Sequence, residues 1–503
     1  MKLSSKNPSR LYGGLIFLFS VVFYAFVMYC SPFSSDDIEH IIYDRTEIRT
    51  AIKYVLYYGN GRFLGNLTTI YLCNNTVLRI LCKAFSSALL IALLPMILKV
   101  YTPRTHLLSF LLITCMSGSL FGQVFTWTSG FANYIPPIFL CSVVVYLLNT
   151  YADHGSKYSG LLFLPLIFVL SVACQLYNEI ASIFNCLLSS VFLFSAIRKK
   201  KNIGGSLTFA AASFCGAVIM YLIPILFYVE NNRSTGYRSF AGNNIKALLV
   251  SIVTHSASVA AYIAENVLLC LVVCFCAYHV LTRNRLPRRF TAIAKQLIIA
   301  SAIYFLCNYF VNNGMWYGRL ATARNFLSVI FVLIPFTSLL IGIMFSKAVT
   351  HKMHFIVLSV LSMLVILPLL VVNPISSRCL VQFYIVQTAI ILLYFSHCVR
   401  LPESNIRVAN RFLCMTAAAV SIVLSLAFSN IHWLSTTLDQ YINLKMEQGA
   451  SEIAIYPIPY DYVFWDGTAA YPYWHYYSEP GDITFTAIPY SDWSYLYGTE
   501  LLG

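Results

Sequence analysis

The chain has 503 residues, 59% of them hydrophobic and only 10% charged, with a mean hydropathy of +0.72 and a net charge of +14. So little charge excludes a soluble globular domain and leaves an all-α polytopic membrane protein. The 15 cysteines include Cys174, Cys270, Cys274 and Cys276 inside apolar runs, where they read as small hydrophobes, and no C-x-x-C pair stands beside a histidine cluster, so no zinc site is expected.

The first apolar run, Leu11 to Tyr29, follows Lys2, Lys6 and Arg10. No small-x-small cleavage site comes after it and it is long enough to span, so it is read as a retained first transmembrane helix. Twelve further spans are predicted near 77–98, 106–121, 134–150, 160–176, 179–196, 205–228, 264–281, 292–310, 325–346, 354–373, 379–398 and 410–430. About thirteen spans from a cytoplasmic N-terminus put the C-terminus outside. The segments that alternation then places inside are 1–10, 99–105, 151–158, 197–203, 282–295, 347–353 and 399–411. They hold 20 of the 33 lysines and arginines but only Asp153 and Glu403 among the 19 acids, with "RKKK" (198–201) and "RNRLPRR" (283–289) carrying much of the excess. Lysine and arginine are retained on the cytoplasmic side of a membrane, so charge and span count agree, and the basic balance reads as a cytoplasmic surface, not as a nucleic-acid site.

Outer loop 1 covers 31–76. Its start lies within "YCSPFSSDDIEHIIYD" (Tyr29 to Asp44), which crowds Asp36, Asp37, Glu39 and Asp44 at a span end. From Ile38 the apolar positions 38, 41, 42, 48, 52, 55 and 56 make a helical stripe. That stripe is too polar to span and predicts an interfacial helix ending at "GNGRF" (59–63). A second outer loop, about 229–264, contains "ALLVSIVTHSASVAAYI", read as lying flat or dipping inward. The last segment, 431–503, has no cysteine, one basic residue (Lys445) and four of the six tryptophans. It is predicted to be a small outer domain of short strands and turns, set off from a transmembrane domain at 1–430.

Several polar groups gather at the outer span ends. Asp36 and Asp37 read either as a helix cap or as a general base, since a carboxylate beside a second one near a low-dielectric surface has its pKa raised. Asn178 and Glu179 lie in the short turn of "QLYNEIAS", where the acid is an interfacial cap or faces the same cavity. "TWTSGFANY" (126–134) supplies Trp127 and Tyr134 as interface anchors. Gly130 and Asn133 suggest a tight turn presenting an amide, a combination suited to a sugar. Arg62, Arg319, Arg324 and Arg378 are isolated outer arginines. Each alone reads as snorkelling; together they suit a phosphate, which the arginine fork matches.

An N-terminal span followed by "SSDD", an interfacial helix and "GNGRF" resembles the polytopic GT-C glycosyltransferases, most nearly the bacterial branch with the serotype-converting O-antigen glucosyltransferases. The "W-x-x-G-x-x-N-Y" from Trp127 to Tyr134 and Asn178–Glu179 are similar to that branch. The resemblance implies inverting transfer of a hexose, glucose by that branch, from an undecaprenyl-phosphate-linked donor. The acceptor would be lipopolysaccharide O-antigen or a related surface glycan on the periplasmic face of the bacterial inner membrane. It maps the catalytic aspartate onto Asp36 or Asp37 and favours Asp36. The acids are adjacent, not the D-x-D of metal-using relatives, so a divalent metal is not indicated and no cofactor is expected. A donor synthase and a flippase are implied partners.

Two other functions fit a multispan chain. A lipid-linked oligosaccharide flippase should line the middle of many spans with charge, and these spans look nearly charge-free at their centres. An O-antigen polymerase needs two large outer loops, for which only 31–76 and 229–264 serve.

Overall fold

The computed structural model describes residues 8–497 apart from 35, 43–45, 59–60, 155–159, 229–238, 241–243, 284–285, 312–318, 347–348, 350, 400–401, 459 and 461–483. Helices dominate. α1 (Pro8–Cys30) leads into three polar helices, α2 (Asp36–Ile42), α3 (Ile48–Tyr58) and α4 (Phe63–Asn74). α5 (Thr76–Ile97), α6 (Pro103–Thr114), the single turn α7 (Gly118–Phe121) and α8 (Thr128–His154) follow. Next come α9 (Gly160–Gln175), α10 (Glu179–Lys199), α11 (Ile203–Tyr228), α12 (Ile245–Glu265) and α13 (Val267–Thr282). α14 (Arg288–Val311), α15 (Arg319–Phe345), α16 (Lys352–Ile366), α17 (Val381–His397), α18 (Glu403–Glu447) and α19 (Tyr490–Tyr497) complete the set.

Among the described residues, 11 helices are long and apolar enough to cross a membrane. α6 and the helical segment Gly118–Thr126 after it are together long and apolar enough to cross, but are bent by 87° at the break between them. α9 and α13 are shorter apolar helices. Backbone groups cannot be left unpaired in lipid, which is why nearly all the apolar sequence resolves into helix. Among the described residues, sheet is confined to two ribbons. β1 (Ser239–Phe240) pairs antiparallel with β2 (Val372–Asn373), and β3 (Glu452–Ile455) pairs parallel with β4 (Thr484–Ala487).

α17 sits at the centre, buried along nearly its whole length, whereas α18 at the rim is largely exposed. α18 keeps Val408, Phe412, Met415, Ile422, Leu426 and Trp433 exposed on one stripe, the face a helix turns to lipid. At about 1.5 Å per residue this 45-residue helix is roughly 67 Å long, over twice the hydrocarbon thickness of about 30 Å. Its far part therefore projects. Phe428 meets Phe121 and His432 meets Tyr29, so the projecting part lies beyond the end where α1 finishes. There Leu434, Leu438, Tyr441 and Ile442 build a second core with Ile453, Tyr456, Phe485 and Trp493. The expected strands and turns from 431 onward thus begin as continued helix to Glu447, and the boundary at 430 falls inside α18.

The interfacial helix expected as one stripe from Ile38 is two helices, α2 and α3, with Thr46 and Glu47 outside both; Asp44, Arg45 and part of "GNGRF" fall outside the described residues. α12 passes the length and hydropathy test for a span, yet β1 before it joins β2, His255 in its middle bonds the Leu370 carbonyl at 3.1 Å, and Asn266 at its end accepts from Ser117 N at 2.9 Å.

Candidate functional site

The site begins at a break in the helical chain. After α7 the backbone winds as a π-helical turn, Gly122–Thr126, and Trp127 is extended (φ −66°, ψ 123°) before α8 starts at Thr128. Such a break leaves carbonyls unpaired before it and amides unpaired after it. Both sets are met by buried charges from other helices. Lys83 Nζ, on α5, donates to the Thr126 carbonyl at 2.7 Å. Asp37, on α2, accepts from Thr128 N at 3.0 Å, Ser129 N at 2.8 Å and Ser129 Oγ at 2.6 Å. A cation thus sits at the carbonyl end of one turn and an anion at the amide end of the next helix, each where the local dipole favours it. Gly130 is needed here: a Cβ would collide with the Gln123 carbonyl across the break.

Asp37 is fully buried, and burial pushes its carboxyl above the ordinary carboxylate range while the Ser129 hydroxyl and the Lys83 charge pull against it. Its neighbour Asp36 opens α2 and is half-buried. The sequence pair is therefore split by the fold into one locked acid and one at the rim.

A second cluster adjoins the first through α8. Arg62 holds Glu179 through Nη2–Oε2 at 2.7 Å and Nε–Oε2 at 3.0 Å, and its guanidinium lies 5.8 Å from the Tyr134 ring centre. Asn178 caps α10, accepting from Ala181 N at 2.7 Å, and donates to the Asn133 carbonyl at 2.5 Å. Asn133 donates to the Ser129 carbonyl at 2.8 Å. Both amides are buried, and the Asn178–Asn133 bond ties the start of α10 to α8. Gly65 lets α4 come close to this pair, since a Cβ there would lie 2.9 Å from the Tyr177 carbonyl and overlap Asn133 Oδ1. Asn133 lies within α8, and the tight turn expected around Gly130 is a helix start.

Arg378 reaches the site from the 3-10 turn Ser377–Leu380, with its guanidinium 4.9 Å from the Trp127 ring centre. Ser377 and Ser119 hydroxyls join at 2.8 Å beneath it, and the Tyr134 hydroxyl meets Cys379 Sγ at 3.8 Å. Arg324 pairs with Glu265 at 3.7 Å, both about 15% exposed. Arg319 begins α15, and its side chain is outside the described residues.

The fold thus links Asp37, Arg62, Trp127, Asn133, Tyr134, Asn178, Glu179 and Arg378 through the α8 junction, with Asp36 next to Asp37 in α2, while Arg324 pairs with Glu265 at the end of α12. Sequence reasoning missed Arg79, Lys83, Thr128 and Ser129. Arg79 and Lys83 lie in the first two turns of α5 at 5% and 1% exposure, near the end of that span and away from its centre. Their i, i+4 spacing in "LRILCKAF" places both on one helix face and was the available signal. Among the described residues no three His, Cys, Asp or Glu side chains are grouped to hold a metal ion. No known protein family, curated protein or solved structure matches the chain.

Proposed function

We propose that the protein is a glycosyltransferase that moves a hexose from a polyprenyl-phosphate-linked donor to a surface glycan. The observation that carries this reading is the Asp37 anchor. It fixes α2, the helix that Asp36 opens, to the first turn of α8, directly after Trp127. Asp36 acts as base. An acceptor hydroxyl attacks the anomeric carbon, its proton passes to Asp36, and the bond from that carbon to the phosphate oxygen breaks. The electron pair leaves on the polyprenyl phosphate and the anomeric centre inverts. Proton transfer of this kind contributes about 10²–10⁴ in rate. Arg378, stacked on Trp127, supplies a charge for the departing phosphate.

The same reading orients the molecule. With lysine and arginine retained inside, the Asp36 end faces the periplasm of a bacterial inner membrane, the N-terminus is cytoplasmic, and α19 is periplasmic. Thirteen crossings follow if α12 lies against the periplasmic end while α9, α13 and the broken α6 span cross. The flippase alternative gains little from Arg79 and Lys83, which occupy the first two turns of α5 and do not line a path through it.

Membranes containing the chain should move label from polyprenyl-phosphate-linked [¹⁴C]glucose to added O-antigen-bearing lipopolysaccharide. Label that remains on the lipid, or crosses the membrane still attached to it, counts against the transferase.

A further inference from the structure

Arg79 is the most exceptional charge in the molecule. It sits one turn into α5, 5% exposed, and its Nε and Nη1 atoms are buried without a hydrogen-bond partner. Its guanidinium stacks 4.0 Å from the Phe33 ring centre. Stacking occupies the face of the guanidinium and leaves its N–H bonds, which lie in the plane, available. One turn further, Lys83 shares the same helix face and donates to the Thr126 carbonyl. Asp37 is the nearby acid, but its oxygens accept from Thr128 and Ser129, and no ion pair within 4 Å joins it to Arg79 or Lys83.

Two buried cations thus face one carboxylate already engaged elsewhere. Burying an uncompensated charge is strongly unfavourable, so this arrangement calls for a second anion. At about 1.5 Å per residue, Arg79 and Lys83 lie roughly 5 and 10 Å below the end of α5, near the depth of a lipid phosphate. The flank of the helix beside them exposes Val77, Leu78, Leu81 and Phe85, an apolar approach along which a lipid tail can lie.

The geometry points to Arg79 and Lys83 as a binding site for the phosphate of a lipid phosphate ester, with Arg79 forking two oxygens and Lys83 adding a point charge. This deepens the transferase reading, on which it rests for the choice of a polyprenyl lipid. It moves the phosphate contact away from Arg62 and Arg324, whose charges are met by Glu179 and Glu265.

The test is binding by the full chain in phosphatidylcholine nanodiscs. The probes are tritiated undecaprenyl monophosphate, undecaprenol of the same length, and inorganic phosphate. Wild type should bind the phosphate lipid, be stabilised to heat by it, and ignore the alcohol. Arg79→Gln and Lys83→Met should each weaken phosphate-lipid binding about tenfold to a hundredfold, the loss expected for one charge-assisted contact. Arg79→Lys, which keeps the charge, should still lose several-fold, and this covers a Gln variant that fails to fold. Equal heat stabilisation of wild type by lipid phosphate and lipid alcohol overturns the site, as does unchanged binding in the folded variants. Inorganic phosphate binding as tightly as the lipid overturns the lipid as its source. Binding lost on substitution, in a protein that transfers no sugar, keeps the site and removes the transferase reading.

Discussion

Asp37 has three donors on its two oxygens and is fully buried, whereas Asp36 is half-buried. Asp37→Asn puts an N–H₂ where an oxygen now accepts and removes the charge at the start of α8. It should lower stability by about 1.5–3 kcal/mol, seen as a lower melting temperature in detergent. An unchanged melting temperature would show that the three bonds are not formed as described. The Arg62–Glu179 pair, at 14% and 30% side-chain exposure, is partly screened, so Glu179→Gln should cost only about 1–2 kcal/mol. A double-mutant cycle with Arg62→Gln should return a coupling of similar size, and additivity would remove the pair as a stabilising contact. Arg378 is different, since its guanidinium stacks on Trp127 in the middle of the site. Arg378→Ala should reduce transfer about tenfold to a hundredfold at matched protein level, with Lys a poor substitute because it lacks the planar fork. Normal transfer in the Ala variant excludes it from the reaction. None of these roles was fully legible in the sequence. "SSDD" showed an acid pair, but which acid is buried depends on α8, more than ninety residues away, and no local pattern reports that.

At the scale of elements, the junction between the π-helical turn and α8 organises everything near it. Its geometry needs Gly130, whose Cα hydrogen stands where the Cβ of any other residue would strike the Gln123 carbonyl. A backbone carbonyl cannot swing aside as a side chain does, so Gly130→Ala should cost about 1–3 kcal/mol and displace the amides that hold Asp37. The expected result is a lower melting temperature together with reduced transfer; an Ala variant equal to wild type in both would contradict the close approach. The sequence signalled Gly130 as special but suggested a tight turn presenting Asn133, because a glycine and an asparagine close together are common turn residues. Packing overrode that reading. α18 shows the reverse case, a signal present but unused. Leu434, Leu438, Tyr441 and Ile442 repeat at helical spacing and carry the helix on to Glu447, while the tyrosine- and proline-rich sequence beyond drew attention to strands.

For the whole molecule, the apolar runs were legible because lipid demands long continuous helices, and each of the 11 span-length helices except α12 coincides with a predicted span. α12 was read as a flat or inward-dipping segment, and its flanks meet β2 and Ser117. Orientation rests on charge: the end carrying Asp36 should be outside. A reporter active only in the cytoplasm should be silent when fused after residue 430 and active when fused near residue 200; the opposite pattern inverts the proposed topology. The central claim is that this outward end performs transfer with Asp36 as base. The most direct measurement is the fraction of surface polysaccharide carrying the added sugar in cells expressing Asp36→Asn, at protein level and membrane insertion equal to wild type. Asparagine keeps the shape and the capping capacity of aspartate but cannot take a proton, so the fraction should fall in line with a rate loss of about 10²–10⁴. A fraction close to wild type would contradict the account and leave Asp36 as no more than the start of α2.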